Sequence, residues 1–155
     1  MIIIYLLQTV SPAAPPSDAW ASISVRVPIA QISTTIDFVK EAAGTTSSEY
    51  TLRLIERRAD GSTETLFADG RTCSGVRDAV EGLRSLPFPV VSLPRDDPEL
   101  VIDGVSYSVR FSARYGSQFS GPLELRSNIG TPLAAWVDGT VARVKPCWAG
   151  YRALR

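Results

Sequence analysis

Residues 50–86 read YTLRLIERRADGSTETLFADGRTCSGVRDAVEGLRSL, and their periodicity decides the fold class. Tyr50, Leu52 and Leu54 fall on one side of an extended chain and Arg53 and Arg57 on the other, the period of two shown by a half-buried strand. Asp60-Gly61 is a hairpin-turn pair. Thr63 to Ala68 then returns as a second strand, which Asp69-Gly70 breaks. From Cys73 the period changes to three and four: Cys73, Val76, Val80, Leu83 and Leu86 share one helix face. Asp69 or Thr72 can cap this helix, and Pro87 stops it. Gly75 and Gly82 lie inside it and cost about 1 kcal/mol each against alanine. Close packing on a sheet would offset that cost.

A second strand-strand-helix run follows. Leu100–Ile102, Asp103-Gly104 and Val105–Arg114 read as a hairpin, with Tyr107, Val109 and Phe111 opposite Ser108 and Arg110. Residues 118–127 form the next strand, in which Gly121-Pro122 marks a bulge or a sheet edge. Thr131-Pro132 opens the last helix as N-cap and first helical residue. Leu133, Trp136, Val137, Val141 and Val144 make its apolar stripe, Lys145 complements its dipole, and Pro146 ends it. Upstream, Ile23–Val27 alternates as a strand closed by Pro28. Ile32, Ile36, Val39 and Ala43 fall at helical spacing, with Ser33 or Thr34 as cap and Gly44 as stop, although β-branched Thr34, Thr35 and Ile36 disfavour a helix. The expected class is α+β: an antiparallel sheet with two to three helices packed on one face, a two-layer sandwich.

The two cysteines, Cys73 and Cys147, open one expected helix and follow the end of the other. If the helices lie antiparallel, those ends meet, which favours a disulfide over two buried thiols or a reactive thiol. The bridge would close a loop of about 75 residues, for which chain entropy assigns roughly 4 kcal/mol. Two cysteines without histidine do not make a zinc site, and no C-x-x-C pair is present.

At 155 residues, with 45% apolar content, the chain forms one domain, taken as residues 22–155. Residues 1–21 are either a signal peptide, with candidate cleavage sites at Ser11–Ala14 and Ala19-Trp20-Ala21, or an N-terminal strand at Ile2–Leu7 followed by a proline-rich linker. The initial apolar run is too short to span a bilayer. Formal net charge is zero, so no steering field exists for nucleic acid or an anionic membrane. Of sixteen basic residues only Lys40 and Lys145 are lysines. With abundant Ala, Gly and Pro, that bias suggests a GC-rich bacterial genome.

The chain has no histidine, and so lacks the commonest general base and metal ligand. No Ser-x-x-Lys arrangement and no glycine-rich phosphate loop is present. Asp69, Asp78, Asp96, Asp97, Glu99, Asp103 and Asp138 are candidate carboxylates for glycoside hydrolysis. Asp96, Asp97 and Glu99 lack the spacing of a calcium loop. No catalytic residue, metal ligand or cofactor is therefore assigned. Two binding features are: an anion-binding face at Arg53, Arg57 and Arg71, and a recognition loop at Tyr115, Gln118 and Phe119.

These features point to a small secreted or periplasmic bacterial domain. Its expected role is non-catalytic binding of a protein or envelope component, as an inhibitor for example. The alternatives are a cytosolic accessory protein with reduced cysteines and a carboxylate-dependent hydrolase.

Overall fold

The computed structural model describes residues 19–40, 50–89, 104–115 and 119–152. Six antiparallel strands form one sheet: β1 (Ala19–Val27), β2 (Ile32–Lys40), β3 (Tyr50–Arg57), β4 (Thr63–Asp69), β5 (Ser106–Tyr115) and β6 (Phe119–Asn128). Their order is β4-β3-β2-β1-β5-β6. Two α-helices accompany them, α1 (Ser74–Gly82) and α2 (Pro132–Arg152). The β1–β2 hairpin is central, with β3-β4-α1 on one flank and β5-β6-α2 on the other. Each flank runs strand-strand-helix, as the doubled pattern suggested, but the second is built from β5 and β6 rather than from the hairpin expected across Asp103-Gly104. A two-fold axis normal to the sheet between β1 and β2 would exchange the two flanks in topology and direction.

Cross-strand register fixes which side chains meet. Ile23 pairs with Ile36 on one side and Val109 on the other; Ile36 continues to Leu54 and Leu54 to Leu66. Phe38, Leu52 and Ala68 form the next row. All of these are buried with Val76, Ala79 and Val80 of α1 and Leu133, Val137, Val144 and Trp148 of α2. The core therefore draws on one sheet face and both helices.

The segment Ile32–Lys40, expected as a helix, is strand β2. Its register pairs it with β1 and β3 along its length. The apolar residues buried there are Ile36 and Phe38, two apart, so the period of two overrode the looser helical spacing. Thr34, Thr35 and Ile36 suit a pleated surface and lose rotamer freedom in a helix. The first strand and Asp103 of the hairpin expected across Asp103-Gly104 lie outside the described residues. β5 pairs with β1 and β6.

Helix boundaries also shift. α1 ends at Gly82 and continues as one 3-10 turn, Leu83–Ser85. Its N-cap is Cys73, whose side chain makes no capping hydrogen bond. Asp69 acts one step earlier. Its carbonyl accepts from the Thr72 and Cys73 amides at 3.2 and 2.9 Å, and its Oδ1 accepts from the Arg71 amide at 2.7 Å. Thr131 does cap α2: Oγ1 accepts from the Ala134 amide at 3.1 Å. Pro146 does not end α2, which runs through it to Arg152. Proline removes one backbone bond to the preceding turn, and here burial of Val144 and Trp148 on either side together with the Cys147 cross-link holds the helix on.

Cys73 and Cys147 are bonded, with Cα atoms 5.7 Å apart. A Cβ built on Gly75 would lie 2.7 Å from the Arg143 carbonyl oxygen and 3.2 Å from Cys147 Sγ, and one on Gly82 would lie 3.7 Å from the Trp136 ring. The helices are therefore antiparallel, and the glycines permit helix-on-helix packing rather than the expected helix-on-sheet packing. Gly75→Ala should destabilise the protein by about 1–3 kcal/mol through overpacking. Gly139→Ala, at a helical site with nothing within 4 Å, should stabilise it by about 0.5–1 kcal/mol. Urea midpoints of the two variants check this opposition of sign.

Candidate functional site

At the end of the sheet where β1 begins and β5 finishes, the pleat is interrupted. Ala19 pairs with Val39 but Ala21 pairs with Phe38, leaving Trp20 as an extra residue. Such a bulge re-aims a side chain. Here it brings the Trp20 ring to the helix-covered face, 5.7 Å from Phe38 and 6.0 Å from Tyr50 between centroids. Val80, Leu83 and Arg84 from the end of α1 and its 3-10 turn approach from above, and Phe111 and Ser112 of β5 close the far side. Together they bound a cleft of about 340 Å³, within the size range of small-molecule sites. Phe88 stacks edge-on against Phe111 at 6.4 Å beside it.

The cleft is aromatic and apolar, with few polar groups. The Trp20 indole N–H is buried and finds no hydrogen-bond partner among the described residues, a state that costs about 1–3 kcal/mol. Arg84 Nη1 donates to Glu81 Oε2 at 3.0 Å in a pair whose side chains are 76% and 63% exposed. Exposed pairs of this kind contribute little to stability.

The opposite sheet face is polar. Arg53 Nε and Nη2 donate to Asp37 Oδ2 at 3.1 and 2.9 Å, and Asp37 is only 1% exposed. One strand over, Ser24 and Thr35 share a 3.2 Å hydroxyl contact. Further out, Glu124 accepts from Arg110 Nη2 and Arg126 Nε at 3.0 and 2.9 Å.

Two of the arginines singled out in the sequence hold carboxylates. Arg53 is bound to Asp37, and Arg71 is bound to Asp69 through Nη2 at 2.7 Å. Arg57 is exposed at the far end of β3, paired in register with Ser33 and Thr63. Tyr115 and Phe119 are cross-strand partners closing β5 and β6, at the same sheet end as the cleft. Gln118 lies outside the described residues. Of the candidate carboxylates, Asp138 accepts from the Tyr107 hydroxyl at 3.2 Å. Asp78 is exposed on α1, and Asp96, Asp97, Glu99 and Asp103 lie outside the described residues. Among those residues no cluster of three potential metal ligands is found, and no helix is long and apolar enough to cross a membrane.

Trp20 was legible only as part of a cleavage motif. Its role in the cleft depends on a bulge that hydrophobic alternation does not reveal. Ala19–Ala21 belong to β1 and Ala21 is buried in the core, so cleavage after Ala21 would remove the cleft's indole. The Ser11–Ala14 site would leave β1 whole.

Compared with family models, curated proteins and solved structures, the chain matches none.

Asp69 and Glu124 contribute to an acid response. Asp69 is held below its ordinary 3.8, chiefly by the Arg71 side-chain hydrogen bond. Glu124 is held below 4.5, first by Arg126 and then by Arg110, against partial burial. A lowered folded-state pKa gives stability that is complete above the unfolded value and lost as pH falls through the folded one. The urea midpoint should drop as pH is lowered from about 5 to 3, and Glu124→Gln should make that drop shallower.

Proposed function

We propose that this chain is an extracytoplasmic bacterial domain that binds a protein or an envelope component without catalysing a reaction. The observation that carries this reading is the Cys73–Cys147 bond between the two helices. Disulfides persist in oxidising compartments and are rare in the cytosol. The bond also ties together the two elements that sit above the core. On this reading the helices form one layer of a two-layer sandwich and the sheet the other. A scaffold held in this way suits recognition, because immobilised walls lose less conformational entropy when a ligand arrives. The aromatic cleft is the binding centre, and the Tyr115–Phe119 end of β5 and β6 extends the recognition surface. An inhibitor role is one form such binding takes. Signal-directed export is the route this reading assigns to the chain, with processing upstream of Ala19 so that Trp20 remains in β1.

The test is expression of the intact coding sequence in a bacterium, followed by fractionation and intact mass with and without alkylation. The expected result is protein outside the cytoplasm, no alkylation before reduction, two alkylated cysteines after it, and no loss beyond residue 18. Cytoplasmic protein with two freely alkylated thiols would overturn the proposal in favour of an intracellular accessory role.

A further inference from the structure

The sheet face turned away from the helices carries charge that the cleft does not use. Strand alternation puts Ile23, Ile36, Leu54 and Val109 in the core shared with the helices and sends their sequence neighbours to the other side. Toward the β1–β2 turn, that outer side holds two cross-strand rows. One runs Thr63, Arg57, Ser33, Arg26, Ser106 and Asn128 across all six strands. The next row inward includes Thr35, Ser24, Ser108 and Arg126. We infer that these rows form a binding face for an acidic polysaccharide, a chain of sugar units bearing carboxylates at intervals. This goes beyond the binding reading above, which centres on the cleft, and uses a different surface.

Three observations converge. First, positive charge is concentrated here although the chain as a whole is neutral. The two rows hold Arg26, Arg57 and Arg126 and no acidic residue. The nearest acids of β3 and β4, Glu56 and Glu64, alternate to the opposite side of the sheet and bind Arg58. Second, Arg26 and Arg57 are exposed, and neither forms an ion pair among the described residues. That sets them apart from Arg53, Arg71 and Arg110, each of which holds a carboxylate of the fold. Third, the spacing is regular. Two strands separate Arg26 from Arg57, and two separate β1 from β6, which carries Arg126. At about 4.8 Å per strand, arginine positions recur about every 10 Å across a face about 24 Å wide. Hydroxyl side chains fill the gaps: Ser33 lies between Arg57 and Arg26, and Ser24 and Thr35 share a 3.2 Å contact beside them. Guanidinium groups take carboxylates by charge-assisted, often bidentate bonds, and hydroxyls both donate and accept, as sugar hydroxyls require.

Other polyanions fit less well. Neither row carries an aromatic ring, so single-stranded nucleic acid finds no platform on which to stack its bases. An acidic protein would need an apolar or aromatic anchor at the centre of its interface, and the apolar side chain of these rows is the half-buried Ile55. A neutral glycan would leave both free arginines without a counter-charge.

The experiment is calorimetric titration of the oxidised full chain with hexagalacturonate. Its methyl ester is the uncharged counterpart, and a short oligothymidylate is the nucleic-acid polyanion. Arg26→Gln and Arg57→Gln each remove one charge from an exposed position. Arg77→Gln removes one from the exposed side of α1, so it controls for net charge. Circular dichroism confirms that each variant is folded. The expected result is saturable binding of hexagalacturonate that weakens as salt is raised. Arg26→Gln and Arg57→Gln should each weaken it about two- to fivefold, as for exposed ion pairs, and together about tenfold, as for separate sites. Arg77→Gln should leave it unchanged, and the methyl ester should bind at least tenfold more weakly than the acid. No saturable binding of the acid, or equal losses in all three single variants, would overturn the assignment. So would tighter binding of oligothymidylate than of hexagalacturonate, which would make the face a nucleic-acid surface. None of these failures touches the export reading, which is decided by compartment and thiol state.

Discussion

The close antiparallel approach of α1 and α2 is the constraint on which the rest of the structure depends. At Gly75 there is no space for a side chain between the α1 backbone and the Arg143 carbonyl. Cys73 and Cys147 bond across the same junction. The chain-entropy effect of that bond acts on the unfolded state, whereas the glycine acts on native packing. Both hold α1 against α2, whose buried residues share one core with the sheet. With α1 held against α2, its Val76, Ala79 and Val80 are buried on the β2–β3 core. Its C-terminal turn is thereby set above Trp20 and Phe111. The cleft is a consequence of where α1 stops.

Several of the described charges are held in pairs that shape the fold. Arg53 and Asp37 form a pair in which the carboxylate is nearly fully buried. Removing one partner of such a pair leaves an uncompensated charge in the interior. Arg71 tightens the turn before α1 through Asp69. Arg110 and Arg126 bracket Glu124. Arginine is well matched to these tasks because its planar fork meets carboxylates in fixed geometry. Arg84 differs in standing beside an aromatic cleft while pairing with Glu81, an exposed residue one turn back.

Much of the fold was legible because its signals are local. The Tyr50–Arg57 strand, the strand expected at Thr63–Ala68 and found one residue longer, the Asp60-Gly61 turn with Gly61 at φ +81°, the Thr131 cap and the cysteine pairing all followed from short patterns. The antiparallel helix arrangement was the condition on which the cysteine pairing rested, and the contacts at Gly75 and Gly82 meet it. What failed was set by tertiary context. Ile32–Lys40 carries both periods, and only its burial between β1 and β3 decides for a strand. Pro146 is tolerated inside α2 because flanking residues are anchored. Gly75 and Gly82 were read as packing sites with the wrong neighbour, since sequence does not say which element a glycine faces. The cleft was least legible. It is assembled from β1, β3, α1 and β5 and turns on a single inserted residue, Trp20, whose inward orientation reverses the alternation of its strand.

The helix clamp is tested most directly by urea unfolding of the oxidised chain beside the Cys73→Ala/Cys147→Ala double variant. If the cross-link holds α1 against α2 as described, the variant should lose about 3–4 kcal/mol while remaining folded in the absence of denaturant. An unchanged midpoint would contradict the clamp, and would mean that helix packing on the sheet holds the architecture without it.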